Sequence, residues 1–183
     1  MPIYSNYHMP SIVKQEAKTT LKRFLRKKLL YYIIPNIFFN TLIAYASFTK
    51  LGYTHLFEGE QSLARLTLPM SLFLPFILTF DILKKTMQAI EQGAIDMVLD
   101  ESLNKNKFIM QMAIINGLGA LLLVLTIMLC AQLSLPAHYK FNATGMAILD
   151  GSLAALFSII FTYLPIKKLK KYMFKQTEVP VSA

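Results

Sequence analysis

The sequence predicts an all-α protein that crosses a membrane with four helices. Of its 183 residues, 55% are hydrophobic and only 16% are charged, whereas a soluble domain carries about 25% charged residues. The charged residues are clustered between long uncharged segments. The single cysteine excludes an internal disulfide and any site built from paired cysteines. This composition is typical of a small polytopic membrane protein.

Four apolar segments are each long enough to cross a bilayer. A helical span needs about 20 residues, because a helix rises about 1.5 Å per residue and the hydrocarbon core is about 30 Å thick. The segments predict TM1 at 29–49, TM2 at 66–85, TM3 at 109–133 and TM4 at 145–166. Spanning strands are excluded, because an open sheet edge would leave backbone groups unpaired in lipid.

The distribution of lysine and arginine predicts the orientation of these spans. Sixteen of the nineteen basic residues lie in an N-terminal arm (1–28), in the TM2–TM3 loop or in a C-terminal tail (167–183). Lys50, Arg65 and Lys140 lie in the other two loops. Cytoplasmic loops carry an excess of lysine and arginine. We therefore expect both termini to be cytoplasmic. The transmembrane domain between them comprises residues 29–166.

The N-terminal arm contains a basic amphipathic segment at residues 11–28. Its apolar residues recur at helical spacing, and Lys14, Lys18, Lys22 and Arg26 follow one another at four-residue intervals. This ridge is expected to contact anionic headgroups of the inner leaflet. The alternative is that its charge only sets orientation. Nucleic-acid binding is not expected, because the bilayer already accounts for the charge.

Polar side chains within the spans are the candidates for a functional site, because such groups are costly in lipid and usually face the bundle interior. They are Asn36 and Asn40 in TM1, Asp81 in TM2, Asn116 in TM3 and Asp150 in TM4. We expect the amides to hydrogen-bond between helices, and Lys84 and Lys85 to neutralise Asp81. Asp150 has no basic neighbour within two turns along the chain, so it is either wetted from the outer loop or a functional carboxylate. Asp81 and Asp150 lie in opposite halves of the membrane, which argues against a paired-carboxylate site.

Small residues at four-residue spacing mark TM3 and TM4. They are Ala113 and Gly117 in TM3, and Ala147, Gly151 and Ala155 in TM4. Such ridges let helix backbones approach closely. The pattern predicts that TM3 packs on TM4, within one chain or between two.

Two short similarities indicate a repeated two-helix hairpin. The TM2 segment from Ser71 to Thr79 is similar to the TM4 segment from Ser152 to Thr162, and Asn36 and Asn116 are similarly placed in TM1 and TM3. Two helices per copy would make the repeats parallel rather than inverted.

Two motifs carry a resemblance to a known group of proteins. Pro35-Asn36-x3-Asn40 in TM1 and Leu74-Pro75-Phe76…Thr79 in TM2 resemble a group of small, uncharacterised bacterial inner-membrane proteins built from paired two-helix hairpins. The resemblance implies a four-helix topology and a bacterial inner membrane. It implies no activity, cofactor or catalytic residue.

The motifs of common enzyme classes are missing from the sequence. It contains no nucleophile elbow, P-loop or zinc-protease motif, and the outer-loop histidines and glutamates do not have a metal-ligand spacing. We expect a non-enzymatic protein without cofactor or metal, acting through helix packing or its cytoplasmic face. The alternatives are a subunit of a small oligomeric transporter or channel, with Asn36, Asn40 and Asp150 lining the path, and a membrane-embedded enzyme. The expected partners are membrane lipids and a second copy or another membrane protein.

Overall fold

Four long helices make up most of the protein. The computed structural model describes residues 19–50, 52–59, 61–136 and 138–174. The helices are α1 (Leu21–Phe48), α2 (Leu63–Glu91), α3 (Lys105–Ser134) and α4 (Ala143–Leu169), and a single 3₁₀ turn at Lys170–Tyr172 follows α4. All four are long and apolar enough to cross a membrane. The predicted all-helical class is therefore confirmed.

Side-chain caps determine where three of the helices begin. Thr20, Asn104 and Asn142 each precede a helix, and each accepts a hydrogen bond from the backbone N–H three residues later. These caps satisfy donors that have no partner within the first turn. Helix α2 stops at Glu91, and the chain then turns at Gly93, whose φ of 69° favours glycine.

The helices extend beyond the predicted spans. Helix α1 begins at Leu21, so residues 21–28 of the predicted arm form its first two turns, and Lys22 and Arg26 are exposed there. Residues 1–18 of the arm, which include Lys14 and Lys18, lie outside the described residues, as does the tail beyond residue 174. Helix α2 continues for about two turns past the predicted end of TM2.

Two short strand pairs connect the loops at opposite ends of the bundle. At one end, β1 (Tyr53–Thr54) pairs antiparallel with β3 (Phe141–Asn142). At the other end, β2 (Val98–Leu99) pairs antiparallel with β4 (Met173–Phe174). The β1–β3 pair joins the loop between α1 and α2 to the loop between α3 and α4. The β2–β4 pair joins the loop between α2 and α3 to the segment that follows α4. We refer to these as the β1–β3 end and the β2–β4 end.

The helices pack in the spatial order α1–α4–α2–α3. Helix α1 packs on α4, α4 packs on α2, and α2 packs on α3. Within the described residues, α1 and α2 touch only marginally and α3 and α4 do not form a packed pair. The two hairpins are thus interlocked, because the first helix of each packs on the second helix of the other. The predicted packing of TM3 on TM4 is wrong within this chain.

The small residues do allow close approach, but between other helix pairs. Gly117 of α3 lies against α2, where a Cβ added to it would be 2.9 Å from the carbonyl oxygen of Leu72. Gly151 of α4 lies against α1, where a Cβ would overlap the Thr41 hydroxyl oxygen. Ala113 and Ala147 are fully buried, and Ala155 is half-buried. The close approach of helix backbones therefore occurs between α3 and α2 and between α4 and α1.

Candidate functional site

Two of the predicted amides join helices by hydrogen bonds at corresponding places in the two hairpins. Asn36 of α1 donates to the hydroxyl of Ser158 on α4 at 2.9 Å. Asn116 of α3 donates to the hydroxyl of Thr79 on α2 at 3.0 Å, and both of these side chains are buried. Interhelical bonds of this kind contribute about 1 kcal/mol each in membrane bundles. One such hydrogen bond therefore connects α1 to α4, and one connects α3 to α2.

Asn40 behaves differently from the prediction. Its side-chain amide donates to the backbone carbonyl of Asn36, one turn earlier in the same helix, at 2.7 Å. Beside this turn of α1, the neighbouring helix presents Gly151.

Asp81 lies in a groove between α1 and α2, near the β2–β4 end. Its carboxylate accepts hydrogen bonds from Lys85 at 2.6 Å and from the Tyr32 hydroxyl at 2.5 Å. The groove has a volume of about 310 Å³, and Pro35 and Asn36 also line it. We call it the Asp81 groove. The sequence predicted the neutralisation of Asp81, and Lys85 is the lysine that pairs with it.

Asp150 lies in a second groove, which is nearer the β1–β3 end. Its side chain is buried, with 3% of the residue exposed, and its Oδ1 accepts a hydrogen bond from the Thr67 hydroxyl at 2.8 Å. The groove lies between α2, α3 and α4 and has a volume of about 180 Å³. We call it the Asp150 groove. Asp150 is therefore buried among the helices rather than exposed at the loop.

Both grooves follow from the interlocked packing. Because α1 barely touches α2, and α3 does not pack on α4, each of these helix pairs leaves a gap along the side of the bundle. One carboxylate lies in each gap. Asp81 and Asp150 consequently lie in separate grooves, as their predicted depths in the membrane indicated. They do not form an acid–base pair.

The five candidate polar residues do not form one site. Asn36 and Asp81 line the same groove, whereas Asp150 lines the other one and Asn116 lies in the interface between α2 and α3. Asn36 and Asp150, two of the residues assigned to the path of an oligomeric transporter, line different grooves within one chain. The structure therefore does not bring together the residues assigned to that path.

The hydroxyl partners of these residues were not singled out from the sequence. Thr67, Thr79 and Ser158 are buried within the helices, and Tyr32 is half-buried. Isolated serine and threonine residues are common in apolar helices because they bond to their own backbone. The sequence signal that could have identified them is their position at the same depth in the membrane as the amides and carboxylates.

Histidine and glutamate side chains meet at the β1–β3 end. Nδ1 of His138 lies 2.7 Å from a carboxylate oxygen of Glu58, and His138 has a φ of 62°. His55 lies within hydrogen-bond distance of the Tyr139 carbonyl, at 3.1 Å. Across the described ranges, no three histidine, cysteine or acidic side chains are grouped so that they could hold a metal ion. Glu60 lies outside those ranges.

Comparisons with models of protein families, with curated proteins and with solved structures give no match to this chain. The resemblance to paired-hairpin inner-membrane proteins thus stays a prediction.

Proposed function

We propose that this chain is a non-enzymatic, multi-pass protein of a bacterial inner membrane that acts through its cytoplasmic face. The observation that carries the proposal is that the five candidate polar side chains do not come together in one site. Asn36, Asn116 and Asp81 each bond to a side chain on another helix. Catalysis would need several such groups around one reacting atom, whereas dispersed pairs suit a protein that is a packed support for an interaction surface.

The charge distribution supports an orientation with both termini in the cytoplasm. The β2–β4 end carries the exposed lysines and arginines that begin α1 and end α4, together with Lys105 and Lys107 at the start of α3. Lys50, Arg65 and Lys140 lie towards the β1–β3 end. Such an imbalance favours the β2–β4 end as the cytoplasmic side. Lys22 and Arg26 then lie where anionic headgroups would meet them.

Single-cysteine labelling tests this orientation. With the native cysteine removed by Cys130→Ser, Thr49→Cys reports on the β1–β3 end and Ser102→Cys on the β2–β4 end, and both positions are exposed. In intact spheroplasts, a membrane-impermeant maleimide is expected to label Thr49→Cys alone. Ser102→Cys should react only after permeabilisation. The reverse pattern would contradict the orientation, and labelling of both positions in intact spheroplasts would show that the chain inserts in both orientations.

The proposed interaction surface is formed where the loop between α2 and α3 meets the C-terminal segment. The backbone N–H of Asp100 donates to the Tyr172 carbonyl at 2.9 Å. The hydroxyl and backbone N–H of Ser102 both bond to the Asp100 carboxylate, and they lower the pKa of that group. This region therefore has an ordered backbone. It presents Val98 and Phe174, which are 45% and 56% exposed, as directly paired residues on two strands.

The interaction hypothesis predicts that the apolar pair Val98 and Phe174 anchors a protein partner. The double variant Val98→Ser/Phe174→Ser removes apolar contact area and keeps the backbone, so association with the partner should fall at least tenfold. Native mass spectrometry of the chain extracted from its own membranes measures this. Leu133→Ser is the matched control, because Leu133 is 88% exposed at the opposite end of the bundle. Recovery of the wild-type chain as a homo-oligomer carrying a small molecule would instead favour the transporter alternative.

A further inference from the structure

The Asp150 groove combines a buried carboxylate with an apolar wall. Apart from Thr67 and Asp150, every side chain that lines it is aliphatic or a methionine. Ile127 of α3 and Leu149 of α4 are 59% and 51% exposed, so the groove opens on the side of the bundle. A molecule could therefore enter between α3 and α4 without disturbing the packed helix pairs.

The carboxylate of Asp150 has unused capacity for a positively charged partner. An ionised carboxylate can accept about four hydrogen bonds, and Asp150 accepts one, from Thr67. The ion pairs found in the described ranges involve Asp81, Glu91 and Glu58, and none of them includes Asp150. A buried charge is costly unless it is paired. The groove beside it is the place from which a countercharge can reach the carboxylate.

We propose that the Asp150 groove binds a small amphipathic cation, with its ammonium group on the carboxylate of Asp150 and its apolar part against the aliphatic wall. Cavities of about 150 Å³ lined by aliphatic residues bind a molecule of the size of benzene. The Asp150 groove, at about 180 Å³, takes one aromatic ring or a short alkyl chain. The charge selects for a cation, and the wall selects for an apolar body.

The depth and size of the groove favour a free cation over the headgroup of a phospholipid. Asp150 is seven residues from the start of α4, which is about 10 Å along the helix. The ammonium of an aminophospholipid would have to descend that distance from the interface. The groove volume also fits only part of one acyl chain. This assignment depends on the groove geometry alone and stands whichever way the chain is oriented in the membrane.

Binding of phenethylammonium to the full chain in dodecyl maltoside micelles tests the proposal. Thermal unfolding at increasing ligand concentration gives the affinity, because a ligand that binds only the folded state raises the melting temperature. The neutral analogue 2-phenylethanol measures the contribution of the apolar body. We expect the cation to bind the wild-type chain at least tenfold more tightly than the alcohol.

Two variants separate recognition by the carboxylate from a change in folding. Asp150→Asn keeps an acceptor for the Thr67 hydroxyl and removes the charge, so affinity for the cation should fall at least tenfold and affinity for the alcohol should stay the same. Ile127→Trp fills the mouth of the groove and should abolish binding of both. Leu123→Trp is its control, because Leu123 is equally exposed on α3, at 61%, and does not line the groove.

Two results would overturn the proposal. Equal affinity of the wild-type chain and Asp150→Asn for phenethylammonium would show that Asp150 only ties α4 to α2 through Thr67. Stabilisation of the wild-type chain by phosphatidylethanolamine but not by phenethylammonium, lost in Asp150→Asn, would identify a lipid headgroup as the occupant instead of a free cation.

Discussion

Gly117→Ala is expected to lower the free energy of unfolding by about 1–3 kcal/mol, the range for overpacking a well-packed interface. The added methyl group would lie 2.9 Å from the carbonyl oxygen of Leu72 and 3.2 Å from the Cβ of Phe76. Neither atom can move by a rotation of its side chain, so α2 and α3 must separate. Denaturation of the purified chain in mixed micelles of dodecyl maltoside and SDS, followed by circular dichroism, measures the change.

Gly119→Ala is the matched control on the same helix, two residues away. A Cβ at Gly119 meets no heavy atom within 4 Å. Since alanine favours a helix over glycine by about 1 kcal/mol, this variant should be as stable as the wild-type chain or more stable. If the two variants unfold at the same SDS fraction, the close approach of α3 to α2 does not exist in the folded protein.

Gly151→Ala is expected to cost a similar amount, about 1–3 kcal/mol, at the other outer helix. The new Cβ would overlap the Thr41 hydroxyl oxygen and lie 3.1 Å from the Thr41 Cβ. Rotation of Thr41 removes the first contact but leaves the second. The Ile37 carbonyl oxygen, which also belongs to α1, would lie 3.4 Å from the new Cβ. The same mixed-micelle titration reports the loss.

Shortening Thr41 should relieve part of this cost. In the double variant Gly151→Ala/Thr41→Ala the hydroxyl is absent, so the two substitutions should be coupled by more than about 0.5 kcal/mol, as expected of residues in direct contact. The single variant Thr41→Ala should have a small effect. Strictly additive effects would contradict the packing of α1 on α4 at this position and, with it, the interlocked arrangement of the hairpins.

Interlocking of the hairpins explains why the bundle has two lateral grooves. If each hairpin closed on itself, α3 and α4 would cover the space beside Asp150. Helix α3 instead packs on α2 through Gly117, and α4 packs on α1 through Gly151. The close helix contacts at these two glycines therefore keep α3 and α4 apart and the Asp150 groove open. This links the stability predictions to the proposed binding site.

Much of the local structure could be predicted from the sequence. The uncharged segments located four helices, and of the two lysines expected to neutralise Asp81, Lys85 pairs with it. Asn36 and Asn116 were expected to bond across helices, and they do. These inferences succeed because charge, hydropathy and one-turn spacing act locally along the chain.

The sequence by itself determined that the protein has four long apolar helices and that charged residues cluster between and beyond them, since both properties are sums over neighbouring residues. Only the tertiary structure decided which helices touch. Ridges of glycine and alanine mark a surface that can be approached closely, but they fit α1, α2 or α4 equally well. The choice of partner follows from long-range packing, which places Gly117 on α2, Gly151 on α1 and Asp150 beside an open groove.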